Sequence, residues 1–344
     1  MIPKIYSQIG LDILNLLGYF DRPISLDILN IFKSKPLIKN VNDKIIEISE
    51  INWKYALDNL RKLSLINSNM NVVDTHPLVR EYFSKYISEH YPNSYISGHF
   101  RLYNYYKILP KKHRPDTLEE MEPLFQSIYH GCKANLYNET FEEVYADRLN
   151  RTAQAYLTNM LGQYQLTLKI LSNYFDVSFS KFNQNLNSIF YESILSHVGY
   201  SLGAIGQNKD AVQILENVIK SAEEKTNMTY TIATNATNLI DKKIIMAEFQ
   251  DIDNLYDKYY IYAKNVREVP DTNWIMDASY GYYKFLVGDF QAARILFLQS
   301  ENGLVNTSNM LVKMGIKGIG SVPVTNIYSS MAFYFYEYLF YINE

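Results

Sequence analysis

Gly199-Tyr200-Ser201-Leu202-Gly203-Ala204-Ile205-Gly206-Gln207-Asn208-Lys209-Asp210-Ala211 has a counterpart 82 residues on, Gly281-Tyr282-Tyr283-Lys284-Phe285-Leu286-Val287-Gly288-Asp289-Phe290-Gln291-Ala292-Ala293. Gly199, Gly206 and Ala211 recur as Gly281, Gly288 and Ala293, with the same internal spacings of 7 and 5. A tetratricopeptide-like hairpin needs a small residue where its helices A and B meet, a glycine to turn, and a small residue early in helix B. Leu202, Leu215, Phe285 and Phe297 supply the larger packing residues. The 82-residue separation is about twice a forty-residue repeat, so a degenerate unit is expected over Thr229 to Ala263. Its register stays open between Ala247 and Leu255. Such hairpins stack into an α-solenoid with a concave face for partner binding.

Composition agrees with a helical chain. Among 344 residues there are 14 Gly and 10 Pro, too few for a protein that turns every 8–12 residues or so, as an all-β fold does. Helical spacing of apolar residues recurs along most of the length, and the expected class is all-α with one small β-hairpin. With 47% hydrophobic and 20% charged residues, the chain folds and is not disordered. Lys+Arg 33 against Asp+Glu 36 leaves a net charge of −3, which favours neither nucleic acid nor an anionic membrane. A single cysteine, Cys132, excludes a disulfide framework and a multi-Cys zinc site. Ile5 to Phe20 is broken by Gln8, Asp12 and Asn15 and reads as neither signal peptide nor membrane span, so the expected location is the cytoplasm.

The first ninety residues read as a winged-helix module. Ile9, Ile13, Leu16, Leu17 and Phe20 share one helix face, ended by Asp21-Arg22-Pro23. Ser25 can cap a helix from Leu26 to Phe32, with Ile28, Leu29 and Phe32 inward. A third helix from about Asn52 turns Trp53, Ala56, Leu57, Leu60 and Leu63 inward. Leu65-Ile66, an Asn67-Ser68-Asn69 turn and Asn71-Val72-Val73 suggest a β-hairpin. The helix after it, capped by Asp74 or Thr75 and with Pro77 in its first turn, carries Leu78, Val79, Tyr82, Phe83, Tyr86 and Ile87 on its apolar face. Binding to DNA is not expected, because the wing holds no Lys or Arg.

These residues carry a resemblance. Leu17 to Pro23, Trp53 to Leu65 (WKYALDNLRKLSL) and Asp74 to Phe83 resemble the winged-helix region of bacterial STAND NTPases, signal-transduction ATPases similar to apoptotic ATPases and plant resistance proteins. Gly98 to Tyr103, Asp116 to Leu124 and His130-Gly131-Cys132 resemble the helical connector that this family places before its repeats. The resemblance implies a winged helix over 1–92, a connector over 93–184 and repeats over 185–344. It also implies that His76, in Thr75-His76-Pro77, stands where the family's Met-His-Asp-like motif touches the β-phosphate of ADP. The Asp of that motif is missing here, and a structural histidine packing the wing is the plainer reading. The family's P-loop is also missing. Gly315-Ile316-Lys317-Gly318-Ile319-Gly320-Ser321 lacks the terminal Lys-Ser pair and reads as a loop between helices.

No catalytic constellation emerges. The histidines at 76, 90, 99, 113, 130 and 197 include no i, i+4 pair, and Cys132 reads as a buried core thiol. Lys111-Lys112-His113-Arg114 reads as a solvated turn. The expectation is a non-enzymatic interaction scaffold or sensor without cofactor or metal. The alternatives are the regulatory half of an ATP-driven switch whose ATPase is separate or lost by truncation and, further off, a winged-helix DNA regulator. Protein recognition is assigned to the A-helices through Tyr191, His197, Tyr200, Asn235, Asn238, Trp274, Tyr280 and Tyr283, and at least half of these tyrosines are expected only to fill gaps between helices. The last helix, Tyr328 to Ile342 with Phe333 and Phe335, reads as an A-type helix without its partner; it folds back, meets another chain in self-association, or marks a fragment.

Overall fold

The structure, a computed structural model, describes residues 4–68, 71–151, 154–266 and 273–313, with side chains from residue 8 to residue 303. The expectations for Gly315 to Ser321, for Phe333 and Phe335 and for the Tyr328 to Ile342 helix lie outside the described residues. The described residues are mostly helical, and none of their helices is long and apolar enough to cross a membrane. The chain forms two compact units, 1–140 and 141–344. The division falls inside the 93–184 segment and not at either of its ends.

The first unit opens with α1 (Lys4–Leu17), β1 (Ile24–Ser25), α2 (Leu26–Asn30, followed by a 3₁₀ turn to Lys33) and α3 (Glu50–Lys62). It continues with β2 (Asn67–Ser68), β3 (Val72–Asp74), α4 (Pro77–His90), α5 (Pro92–Ile108), α6 (Leu118–Lys133) and α7 (Tyr137–Glu139). Ile9, Ile13, Leu16 and Leu17 of α1 meet Trp53, Ala56, Leu57 and Leu60 of α3 and Phe83 and Ile87 of α4 in one core. Ser49 caps α3, its hydroxyl accepting the Asn52 N–H at 3.3 Å.

Several expectations in this unit are corrected. Leu63 is 54% exposed, because it is the C-cap of α3 and the chain swings away through Ser64 at φ 56°. Leu78 and Tyr82 also face outward; Phe83 and Ile87 of that stripe are buried in the core, and Val79 and Tyr86 pack against it. The strand is Asn67–Ser68, one step beyond Leu65-Ile66, and it pairs with Val72–Asp74. A third strand that the periodicity did not reveal, β1, pairs with the other edge of β3, giving the order β1-β3-β2. Two residues are too short to leave an alternation to read.

The second unit begins within a wide-turned helical stretch, Thr140–Leu149. It then runs through a short helical stretch (Tyr156–Met160), α8 (Tyr164–Leu171), the hairpin β4 (Phe175–Val177) and β5 (Lys181–Phe182), and α9 (Tyr191–Ala204). Its remaining helices are α10 (Asn208–Glu223), α11 (Thr229–Ile245), α12 (Ile252–Lys264), α13 (Asn273–Leu286) and α14 (Phe290–Lys313). One core runs from Leu215 and Ile219 of α10 through Ile232, Ala236 and Ile240 of α11 and Ile252 of α12 to Met276 of α13.

Three helix ends in this unit are identical. The N–H groups of Gln207, Glu248 and Asp289 reach back five residues to the carbonyls of Leu202, Lys243 and Lys284. Those of Gly206, Ala247 and Gly288 reach back three, to Gly203, Ile244 and Phe285. Gly206, Ala247 and Gly288 have φ of 87°, 58° and 85°, the left-handed turn that ends a helix and starts its antiparallel partner. They lie 41 residues apart, which settles the open register in favour of Ala247 over Leu255.

The middle hairpin is degenerate for a physical reason. Gly199 and Gly281 lie tight against Leu215 and Phe297 of the facing helix, where a Cβ would crowd, and Ala211 and Ala293 are fully buried. Ile240 and Ile252 hold those positions in the middle unit, fully buried, so bulk replaces close approach. Ala247 carries a Cβ in a conformation that suits glycine. Ala247→Gly is therefore expected to stabilise the protein by about 1 kcal/mol, while Gly206→Ala and Gly288→Ala each cost about as much. Urea unfolding of the three variants checks this; a destabilised Ala247→Gly would remove the shared turn.

Candidate functional site

Helices α9, α11 and α13 touch in succession. The 41-residue register puts His197, Asn238 and Ser279 at one position of these helices and Tyr200, Asp241 and Tyr282 at another. His197, Tyr200, Asn238 and Asp241 are each only partly open to solvent. Neighbours on this face interact laterally. The Tyr200 hydroxyl donates to Asn159 Oδ1 at 3.3 Å, its ring meets Tyr164 edge-on at 6.0 Å, and its phenol feels the Asp241 charge. The Asn235 amide of α11 donates to Ser196 Oγ of α9 at 2.8 Å.

Asp241 is the residue that sequence reasoning missed. Burial pushes its carboxyl up to about 6, against the pull of the Ser279 hydroxyl and the Lys242 charge. Its Oδ1 is shielded from solvent and finds no hydrogen-bond partner among the described residues. Lys242 makes no ion pair with it; the Lys242 side chain lies along Gly203 of α9. The signal was available one repeat away, since Asp241 stands 41 residues after Tyr200, but only once Ala247 sets the register.

The structure sorts the sequence-derived partner residues. Asn235, Trp274 and Tyr283 are corrected: at 1%, 4% and 6% exposure they are enclosed between helices and offer no contact surface. Trp274 packs where Gly303 lets α14 close on α13, and Asn235 is held by Ser196 and the Thr231 carbonyl. Tyr191 stacks on Phe182 at 4.1 Å. Tyr280 stacks on Tyr256 at 3.8 Å and, with Tyr283 and Lys284, donates to the Asp253 carboxylate. The His197 ring is committed at both nitrogens, to the Ser193 carbonyl at 2.7 Å and the Asn150 amide at 2.9 Å. Tyr200, Asn238 and Asp241 remain as the recessed polar row.

His76 is the N-cap of α4, the position expected for Asp74 or Thr75. Its Nδ1 accepts the Leu78 N–H at 3.3 Å, and its carbonyl takes the Val79 and Arg80 N–H groups. Pro77 has no N–H to give. The first-turn donors that a phosphate would need are thus already used. Thr75 cannot cap because its hydroxyl donates to the Leu65 carbonyl at 2.6 Å, and Asp74 is taken by the Thr75 N–H and by Arg80.

Elsewhere in the first unit, α2, α3 and the β2–β3 hairpin border a polar groove of about 800 Å³. Two of its cations are paired: Lys33 lies over the Trp53 ring and bonds Glu50, and Arg61 bonds Asp58 and Ser68. Deeper in, the imidazoles of His99 and His130 face each other, Nδ1 to Nδ1 at 2.9 Å, both buried among Tyr19, Phe20, Tyr95, Tyr106 and Tyr129. One ring must donate and the other accept, and burial keeps both neutral, holding His99 well below the usual range and His130 down to about 3. Cys132 is buried and its thiol is pushed up to about 12, which makes it a poor nucleophile. Among the described residues no group of three His, Cys, Asp or Glu could hold a metal ion. Comparison with protein-family models, with curated proteins and with solved structures finds no match to the chain.

Proposed function

We propose that the chain is a non-catalytic scaffold that binds a protein partner on the α9–α11–α13 face of a short tetratricopeptide-like array. The observation that carries this reading is the helix end repeated at Gly206, Ala247 and Gly288. One 41-residue hairpin used three times, with its first helices in contact, is the geometry from which solenoids build a continuous recessed face. The polar row Tyr200, Asn238 and Asp241 lies along that face, with no metal-holding cluster among the described residues. The first unit, with helices α1–α3 followed by a three-stranded sheet, is read as a winged helix that works as a structural or protein-contacting module. Lys33 and Arg61 are paired with neighbouring carboxylates and the wing over 67–74 holds no Lys or Arg, which is unsuited to duplex DNA. The similarity to the regulatory and repeat region of STAND NTPases supplies the suggested context, signal transduction.

A photo-reactive amino acid placed at Asn238, on the proposed face, and at the exposed Asn217 on α10 tests the reading in the cells that make the protein. The expected result is a discrete cross-linked protein at 238 and none at 217. No cross-link at 238, or the same cross-link at both sites, sinks the proposal.

A further inference from the structure

We propose that Asp241 anchors a site for a cationic side chain, guanidinium or ammonium, presented by the partner protein. The inference rests on the scaffold reading and names the chemistry that the face would recognise. Asp241 sits midway along the recessed row, beside Tyr200 of α9 and against Ser279 of α13. Its second oxygen, Oδ1, is shielded and unpartnered, although the residue keeps part of its surface open to solvent. A desolvated carboxylate oxygen without a donor is costly, and a cation docking on the side of Asp241 that is open to solvent offsets that cost through its charge.

The other charged and titratable groups at this spot do not fill that role. Lys242 runs along Gly203 and forms no ion pair with Asp241, and the Tyr200 hydroxyl is used by Asn159. The contrast with the other acidic groups of the unit is what singles Asp241 out. Glu192 likewise leaves Oε2 without a partner, but its charge is paired, since Oε1 takes Lys225 at 2.6 Å and the Ser221 hydroxyl at 2.5 Å. Asp253 is matched by Lys284 at 2.7 Å and two tyrosine hydroxyls, and Asp277 by the hydroxyls of Tyr256 and Tyr260. The Tyr200 ring beside the site suits a guanidinium, which stacks on aromatic faces while it bonds a carboxylate.

Random dodecapeptides displayed on phage and selected on the immobilised full chain provide the probe. Selected peptides are expected to share an Arg or Lys. Replacing it by Gln in the synthetic peptide, or Asp241→Asn in the protein, should each weaken binding about tenfold or more, and the two changes together no further. Carboxyl NMR of Asp241 gives a second readout, with its titration midpoint falling from about 6 when peptide is bound. Peptides without a common cation, equal binding to Asp241→Asn, or the absence of any selected peptide overturns the inference. Cross-linking at Asn238 is scored separately: a cross-link there with no cation requirement leaves the scaffold reading standing and removes this one.

Discussion

Lowering the pH from 7 to 5 is expected to cost the first unit about 2–3 kcal/mol of stability, and the source is the buried pair His99–His130. In the unfolded chain both rings titrate near 6.5, and in the folded unit both titrate far lower. The folded state therefore binds fewer protons, so stability is complete above about pH 6.5 and falls as the pH drops toward the folded values. Each ring contributes a loss of about 2 kcal/mol between pH 7 and 5. Asp12 works the other way: burial raises its carboxyl to about 6 in the folded unit, so it takes up a proton there first and returns about 1 kcal/mol. The structural reason for the histidine term is direct, because protonating the accepting ring would set two N–H groups against each other at 2.9 Å. Urea unfolding followed by Trp53 fluorescence in a Trp274→Phe background reads this unit, since the two tryptophans lie in different units. His130→Asn should roughly halve the histidine contribution. A stability that stays flat from pH 7 to 5 would contradict the pairing.

Gly18→Ala is expected to destabilise the same unit by about 3 kcal/mol. A Cβ on Gly18 would stand 2.7 Å from the Ser84 nitrogen and 2.9 Å from the Phe83 carbonyl carbon. Both are backbone atoms of α4 and cannot swing aside as a side chain can, so α1 and α4 must part and open the core around Leu17 and Phe83. Gly10→Ala, inside α1, is the control: its Cβ would meet only Leu60 side-chain atoms at ordinary contact distance. Gly10→Ala should be neutral or slightly stabilising, because alanine favours a helix interior. Equal midpoints for the two variants in thermal unfolding would show that the α1–α4 approach does not constrain the unit.

What the sequence made legible was set by how local the signal is. The outer hairpins could be read because Gly199, Gly206 and Ala211 recur at the same spacings, and each glycine meets a requirement that only a small residue satisfies. The middle hairpin could not, because Ile240, Ala247 and Ile252 satisfy the same geometry with other side chains. The cap of α6 is a local signal of the same kind: the Thr117 hydroxyl accepts the Glu120 N–H at 3.3 Å, within a few residues of chain where Asp116 and Thr117 are both candidate caps. The cap of α4 was misread because an imidazole at His76 can do the work of a carboxylate or hydroxyl. The His99–His130 pair comes from residues 31 apart on two helices that only tertiary packing joins. Asp241 carried no signal alone; it gained one when the repeat gave it a row to belong to.

The central claim is that one 41-residue hairpin, repeated, builds the face that binds. Ala204, Ile245 and Leu286 are the last residues of α9, α11 and α13, lie 41 apart and are all exposed. Paired cysteine substitutions at 204/245, 245/286 and 204/286 can carry spin labels, since the native Cys132 is buried. The account predicts equal dipolar broadening for the first two pairs, as for helices about 10 Å apart, and a separation roughly twice as large for the third. Unequal spacings for 204/245 and 245/286, or a 204/286 distance no longer than either, would contradict it.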